Sequence, residues 1–144
     1  MPTGDRKDPY RVYNFVVEID GIARAAFREC SGLDTSNDAI DYREGTDGRG
    51  VRKLPGLTKS ANITLKWGTT DDASLWEWRK TVMDGAVQRK NGSIVLLDDT
   101  GGEKVRWNFR DGWPTKWTGP SLNATGNEVA IETLEIVHEG LVKA

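Results

Sequence analysis

Strict two-residue alternation limits what this chain can fold into more than any other feature. Val105, Trp107 and Phe109 alternate with Lys104, Arg106, Asn108 and Arg110, so an extended backbone carries one wholly apolar face and one largely cationic face. Ile63, Leu65 and Trp67 alternate with Asn62, Thr64 and Lys66, and Tyr13, Phe15, Val17 and Ile19 oppose Asn14 and Glu18. A helix does not sort side chains with period two. These segments therefore predict half-buried strands, each laid with its apolar face on a core.

The remaining elements follow from punctuation. Asp20-Gly21 is a turn signal that predicts a hairpin into a strand over residues 22–30. A further strand is expected over 39–43. Ile94, Val95, Leu96 and Leu97 are apolar on both faces, which predicts a central, covered strand after the Asn91-Gly92 turn. A last strand is expected over 129–139, with a bulge between Ile131 and Leu134, which fall out of register. One helix interrupts the series. Thr70 or Asp71 can cap it, Leu75, Trp78 and Val82 form its buried stripe with Trp76 and Met83 at the edges, and Gly85 stops it. Six to eight strands and one helix make a mainly β sandwich or barrel. Its 144 residues are enough for one domain with a real core, preceded by a loose arm over residues 1–9.

Residues 43–59 stand apart from this pattern. They are expected to be a long connector, because Gly45, Gly48, Gly50, Gly56 and Pro55 preclude a regular helix. Arg43, Arg49, Arg52, Lys53 and Lys59 against Glu44 and Asp47 leave it at +3 in a chain of net charge −2. Connectors of this length are uncommon in compact domains unless they work. With an apolar tip at Leu54-Pro55-Gly56-Leu57, the segment reads as an arm reaching for a partner.

Catalysis finds little support. The only histidine, His138, and the only cysteine, Cys30, make neither a nucleophilic dyad nor a zinc site together. Cys30 reads as a small buried thiol, and a lone cysteine suits a reducing compartment. Gly45 and Gly50 have phosphate-loop spacing, but Val51 and Arg52 stand where Lys and Ser or Thr are required. No cofactor is implied, and no run of residues is apolar enough to span a membrane as a helix. The tryptophans between Trp107 and Trp117 suggest either core packing or a stacking surface for sugar or bases, the former being favoured by their apolar-face positions.

The chain resembles the inner-tube proteins of contractile injection systems, relatives of the tail-tube proteins of T-even-like phages. The motifs carrying the resemblance run in family order along nearly the whole chain. They are Asp8-Pro9-Tyr10, Phe15-Val16-Val17-Glu18-Ile19-Asp20-Gly21, Ser31-Gly32-Leu33, and Tyr42-Arg43-Glu44-Gly45 followed by Arg52-Lys53-Leu54-Pro55-Gly56-Leu57. Leu75-Trp76-Glu77-Trp78, Asp84-Gly85, Arg89-Lys90-Asn91-Gly92, Trp107-Asn108-Phe109, Trp113-Pro114-Thr115-Lys116-Trp117 and residues 132–140 complete the set.

The resemblance implies a structural protein, not an enzyme. Family members form hexameric rings whose hairpins join into one β-barrel. The rings stack into a hollow tube inside a contractile sheath, between a baseplate and tube-terminating proteins. The lumen carries an effector cargo or DNA, and assembly takes place in the bacterial cytoplasm. By the same resemblance, Arg43, Glu44, Gly45, Arg49, Arg52, Lys53, Leu54, Pro55, Gly56 and Leu57 contact neighbouring subunits and the adjacent ring. Asn14 and Glu18, or Arg24 and Arg28, are candidates to face the lumen, and Asp34, Asp38 and Asp41 to receive the basic arm. Monomer insertion into a membrane is not expected. Alternative readings are a type VI secretion-like tube, a phage tail tube conducting DNA, and, more remotely, a Trp-rich ligand-binding β-sandwich.

Overall fold

A computed structural model describes residues 14–25, 27–45 and 48–144, with the side chains of 23–25 left out. The arm expected over 1–9, Tyr13 and Asp47 lie outside the described residues. The order is β1 (Phe15–Ile19), β2 (Ile22–Ala25), β3 (Glu29–Ser31), β4 (Thr35–Tyr42), β5 (Arg52–Ser60), β6 (Ile63–Gly68), α1 (Ser74–Met83), β7 (Lys90–Leu97), β8 (Glu103–Thr118), β9 (Ile131–Val137) and β10 (Gly140–Lys143). The subunit is mainly β with one helix.

Strand β8 organises the molecule. Its first part pairs with β7 on one side and β10 on the other, and its last residues, from Trp113, pair with β9. The path β2-β1-β7-β8-β9-β6-β3 thus folds about one shared strand and stays open at β2 and β3. The change of partner occurs beside Asp111, whose backbone is left-handed (φ 53°) and whose N–H donates to Asn91 Oδ1 at 3.0 Å. Aspartate tolerates this conformation better than most residues. Trp113-Pro114 therefore continues the strand.

The core lies between the two arms of this folded sheet. Val17 and Ile19 of β1, Ile94 of β7 and Phe109 of β8 meet Ile63, Leu65 and Trp67 of β6 and Leu134 and Ile136 of β9. These are the apolar faces that alternation predicts. The expected bulge in the last strand is corrected. β9 pairs with β6 without interruption from Ile131 to Ile136, and the irregularity lies in β8, between Pro114 and Lys116. Ile131 simply points to the face opposite Leu134. The strand expected over 22–30 is two strands, with β2 on β1 and β3 on β6.

Helix α1 begins later than expected. Asp72 Oδ1 accepts from the Ser74 N–H at 2.9 Å and from its hydroxyl at 2.6 Å, which lowers the Asp72 pKa, and neither Thr70 nor Asp71 caps it. Gly85 ends the helix at φ 81°. Trp78 is buried and its indole N–H donates to the Gln88 carbonyl at 2.8 Å, holding the connector to β7. An edge-to-face aromatic ladder then runs from Phe27 to Trp67 (5.6 Å), Trp117 (5.3 Å) and Trp76 (5.1 Å). Most of the tryptophan surface is thereby accounted for by packing.

Candidate functional site

Strands β4 and β5 pair only with each other and form a hairpin off the main sheet. Eight residues of β4 give it a reach of about 26 Å. Every residue of β4 is exposed, as is nearly all of β5. A two-stranded ribbon without a packed face is marginal in water. This one nevertheless presents Ile40, Tyr42, Val51, Leu54 and Leu57 to solvent. Ile40 stands opposite Leu54 and Tyr42 opposite Arg52, so one face of its outer half carries an apolar stripe ending in an arginine.

The expectation of an irregular connector over 43–59 is corrected here. Only residues 43–51 connect the strands. Arg43, Glu44, Gly45 and Arg49 lie in that connection, while Arg52, Lys53, Leu54, Pro55, Gly56 and Leu57 lie along β5. Leu54-Pro55-Gly56-Leu57 is therefore strand, not tip. Pro55 is tolerated because the hairpin has no further strand to accept a missing N–H. Register then slips, with Gly56 and Leu57 opposing the single residue Asp38. Asn37 bridges the slip, its amide donating to the Gly56 carbonyl at 3.2 Å and Thr58 Oγ1 at 2.8 Å.

Pairing also changes the electrostatics. Lys59 binds Asp38 at 3.1 Å, and Lys53 binds Asp41. Within the single chain these carboxylates pair across the same hairpin. Over residues 35–60 five cations face four carboxylates, so the +3 of the connector falls to +1. The Arg43 guanidinium donates to the Gly48 carbonyl at 2.8 Å, and the Tyr42 hydroxyl donates to Glu44 at 2.8 Å, raising the Tyr42 pKa.

The hairpin's root is held by the only histidine. His138 Nδ1 accepts from the Gly140 N–H at 3.2 Å, which leaves Nε2 to donate to the Ala61 carbonyl at 3.0 Å. The Ala61 N–H donates in turn to the Asp34 carbonyl at 3.0 Å. These bonds tie both ends of the β4–β5 segment to the corner between β9 and β10.

A second feature is the polar outer face of β1, β7, β8 and β10. The Arg106 guanidinium contacts Glu18 at 3.2 Å and Glu103 at 2.6 Å, and these bonds raise its pKa. Ser93 donates to Asn108 at 2.6 Å, and Arg110 lies 3.7 Å from both Asp111 and Glu139. The face forms a shallow recess of about 620 Å³. Of the four lumen candidates, only Glu18 is seen to belong to it. The Asn14 amide donates to the Asp98 carbonyl at 2.7 Å, Arg28 sits at the β6 edge with its N–H on the Lys66 carbonyl, and the Arg24 side chain is outside the described residues. Arg106 and Asn108 were legible as face members from the alternation of β8, whereas Ser93 was not, because β7 reads as apolar on both faces.

Among the described residues no group of three or more His, Cys, Asp or Glu could hold a metal ion. Burial and the neighbouring Glu29 charge push the Cys30 thiol up to about 12, so it is protonated at neutral pH. Among the described residues, no helix is long and apolar enough to cross a membrane.

Known proteins share this arrangement. A family model described as T4-like virus tail tube protein gp19 matches residues 11–142. The chain is 33% identical, with a TM-score of 0.85, to a chain of the extended sheath–tube complex of PVC, an extracellular contractile injection system; 94% of this chain and 91% of that one are covered. It is 30% identical, with a TM-score of 0.88, to a chain of the tube-terminating cap of the anti-feeding prophage, covering 99% and 95%. Hcp1 from Flavobacterium johnsoniae shares the fold at 18% identity and a TM-score of 0.57, covering 91% of this chain and 94% of that one. No curated protein sequence matches.

Proposed function

The chain belongs to the T4-like virus tail tube protein family, and we propose that it is the structural subunit of the inner tube of a contractile injection system. The observation that carries this reading is the β4–β5 hairpin, two strands exposed on both faces with Ile40, Tyr42, Leu54 and Leu57 in solvent. Such a ribbon gains stability by laying its apolar stripe on another copy.

In the assembly we propose, six copies close into a ring, joining their sheets into one barrel and removing the open edges at β2 and β3. The hairpin makes the contacts between subunits and between rings, through Arg43, Glu44, Gly45, Arg49, Arg52, Lys53, Leu54, Pro55, Gly56 and Leu57. Stacked rings form a hollow tube. A sheath surrounds it and contracts to drive it through a target envelope, with a baseplate and a terminating cap at its ends. The PVC and anti-feeding prophage relatives, solved within sheath–tube and cap assemblies, support these partners. Assembly in the bacterial cytoplasm accords with the single free Cys30.

The outer face bearing Glu18, Ser93, Arg106 and Asn108 is our assignment for the lumen. Its charges are paired with one another, so cargo meets hydrogen-bonded polar groups with little net field. Negative-stain microscopy of the purified chain tests the reading. Rings of six or tubes are expected, and a protein that stays monomeric at all concentrations overturns it.

A further inference from the structure

The two arms of the folded sheet are unequal in length. Strand β7 runs eight residues, whereas β3, on the other arm, runs only three. Gly32 ends β3 in a left-handed turn (φ 90°), where a Cβ would fall 1.9 Å from the Asn62 carbonyl oxygen. No other residue fits there, and the strand stops. Across from it, Phe15 stands opposite Leu96 and Ile94 opposite Trp107, on the face that looks into the core. Cys30 and Leu33 approach these residues from the short arm and leave a pocket of about 160 Å³.

The lining selects by chemistry and by size. Its six side chains, Phe15, Cys30, Leu33, Ile94, Leu96 and Trp107, carry no charge at neutral pH. Ile94 is buried and the other five are half-buried, so the pocket keeps a path to solvent. Among the described residues neither Phe15 nor Trp107 packs on another aromatic ring, in contrast to Trp67, Trp76 and Trp117. Both therefore retain their capacity for edge or face contact with a further ring. The sulfur of Cys30 beside them favours an aromatic guest over an aliphatic one. An apolar cavity of about 150 Å³ holds one benzene, which sets the size of guest. A charged guest would lose hydration here and gain no partner.

We propose that the pocket between β3 and the β1–β7–β8 arm binds a small uncharged aromatic molecule of one ring, seated among Phe15, Trp107 and Cys30 with Ile94 as its floor. The site lies within a single chain. It stands apart from the ring and the tube and needs no second copy. Because the guest touches both arms, it binds the folded chain and not the unfolded one, and occupancy raises stability by mass action.

Alkylation of the full chain reads occupancy directly, because Cys30 is its only thiol. N-ethylmaleimide is added with and without toluene, and the modified fraction is followed by intact mass. A bound ring shields the sulfur. The rate is expected to fall about tenfold, and saturably, when free toluene is about ten times its dissociation constant. Benzoate at the same concentration is expected to leave the rate unchanged. At that toluene concentration the melting midpoint should rise by about 3–6 °C. Leu33→Trp and Leu96→Trp each fill the pocket, and whichever of them melts cooperatively should show no rise. No slowing of alkylation up to the solubility limit of toluene overturns the site. Equal protection by benzoate overturns its preference for an uncharged guest, and a midpoint rise that persists in a filled variant places the ligand elsewhere and overturns the pocket.

Discussion

His138 Nε2 donates to the carbonyl of Ala61 at 3.0 Å, joining the β9–β10 corner to the foot of the exposed hairpin. The residues are far apart in sequence, and the ring, packed near Phe109 at 5.9 Å between centroids, is buried. A residue that reads in sequence as an unsupported catalytic base is a structural pin. It determines where the arm leaves the body.

Removing that pin leaves the Gly140 N–H and the Ala61 carbonyl short of a partner. His138→Ala is expected to cost about 1–3 kcal/mol. A melting midpoint lowered by about 2–4 °C for each kcal/mol measures it. Hydrogen exchange should rise first at Ala61, whose N–H bonds to Asp34 at the hairpin root. Uniformly raised exchange across the sheet would contradict the pinning role.

The hairpin itself bears little on the stability of the isolated subunit. Leu54→Asp and Arg52→Glu change exposed positions and are expected to shift folding stability by no more than about 0.5 kcal/mol. Circular dichroism should be unchanged. Tubes should be lost or sharply shortened, because a carboxylate at Leu54 would be buried at each hairpin contact. A double variant that still makes long tubes would remove the arm from assembly.

Phe109 is clasped by backbone. A Cβ at Gly92 would overlap its ring and lie 2.9 Å from the Glu18 carbonyl, and one at Gly112 would lie 2.6 Å from its Cε1. Gly92→Ala is therefore expected to destabilise by about 1–3 kcal/mol through overpacking. Phe109→Leu should cost less in the Gly92→Ala background than in the unsubstituted chain. Thermal melts of the four proteins make the cycle, and simple additivity would refute the clasp.

Acid should loosen the β7–β8 turn through Asp98. Its Oδ1 accepts from the Thr100 hydroxyl at 2.7 Å, the Gly102 N–H at 2.7 Å and the Thr100 N–H at 2.9 Å, and Lys104 lies 3.6 Å from Oδ2. These bonds, the Thr100 hydroxyl foremost, hold its pKa below the ordinary 3.8. A depressed carboxylate stabilises the fold above its unfolded pKa, and the contribution disappears as pH falls through the folded value. The midpoint advantage of the native chain over Asp98→Asn should be present near about pH 6 and vanish near about pH 2. An advantage independent of pH would contradict the assignment.

Much of this was readable along the chain. The faces of β1, β6 and β8 follow from period two, and α1 from its stripe and Gly85. The hairpin was misread for a physical reason. A strand exposed on both faces has no apolar alternation to reveal it, and Pro55 and Gly56 are residues that strands usually exclude. The surplus charge was misread for a related reason. Arg43, Lys53 and Lys59 are neighbours of Glu44 and Asp47 in sequence, but Asp38 and Asp41 reach Lys59 and Lys53 only through pairing across the hairpin. Local order settles which way each side chain points, because the pleat imposes its period wherever a strand lies. Which strand lies opposite, and hence which charges cancel and which apolar stripe is left for another copy, depends on contacts between distant segments, and that was settled when the chain folded about β8.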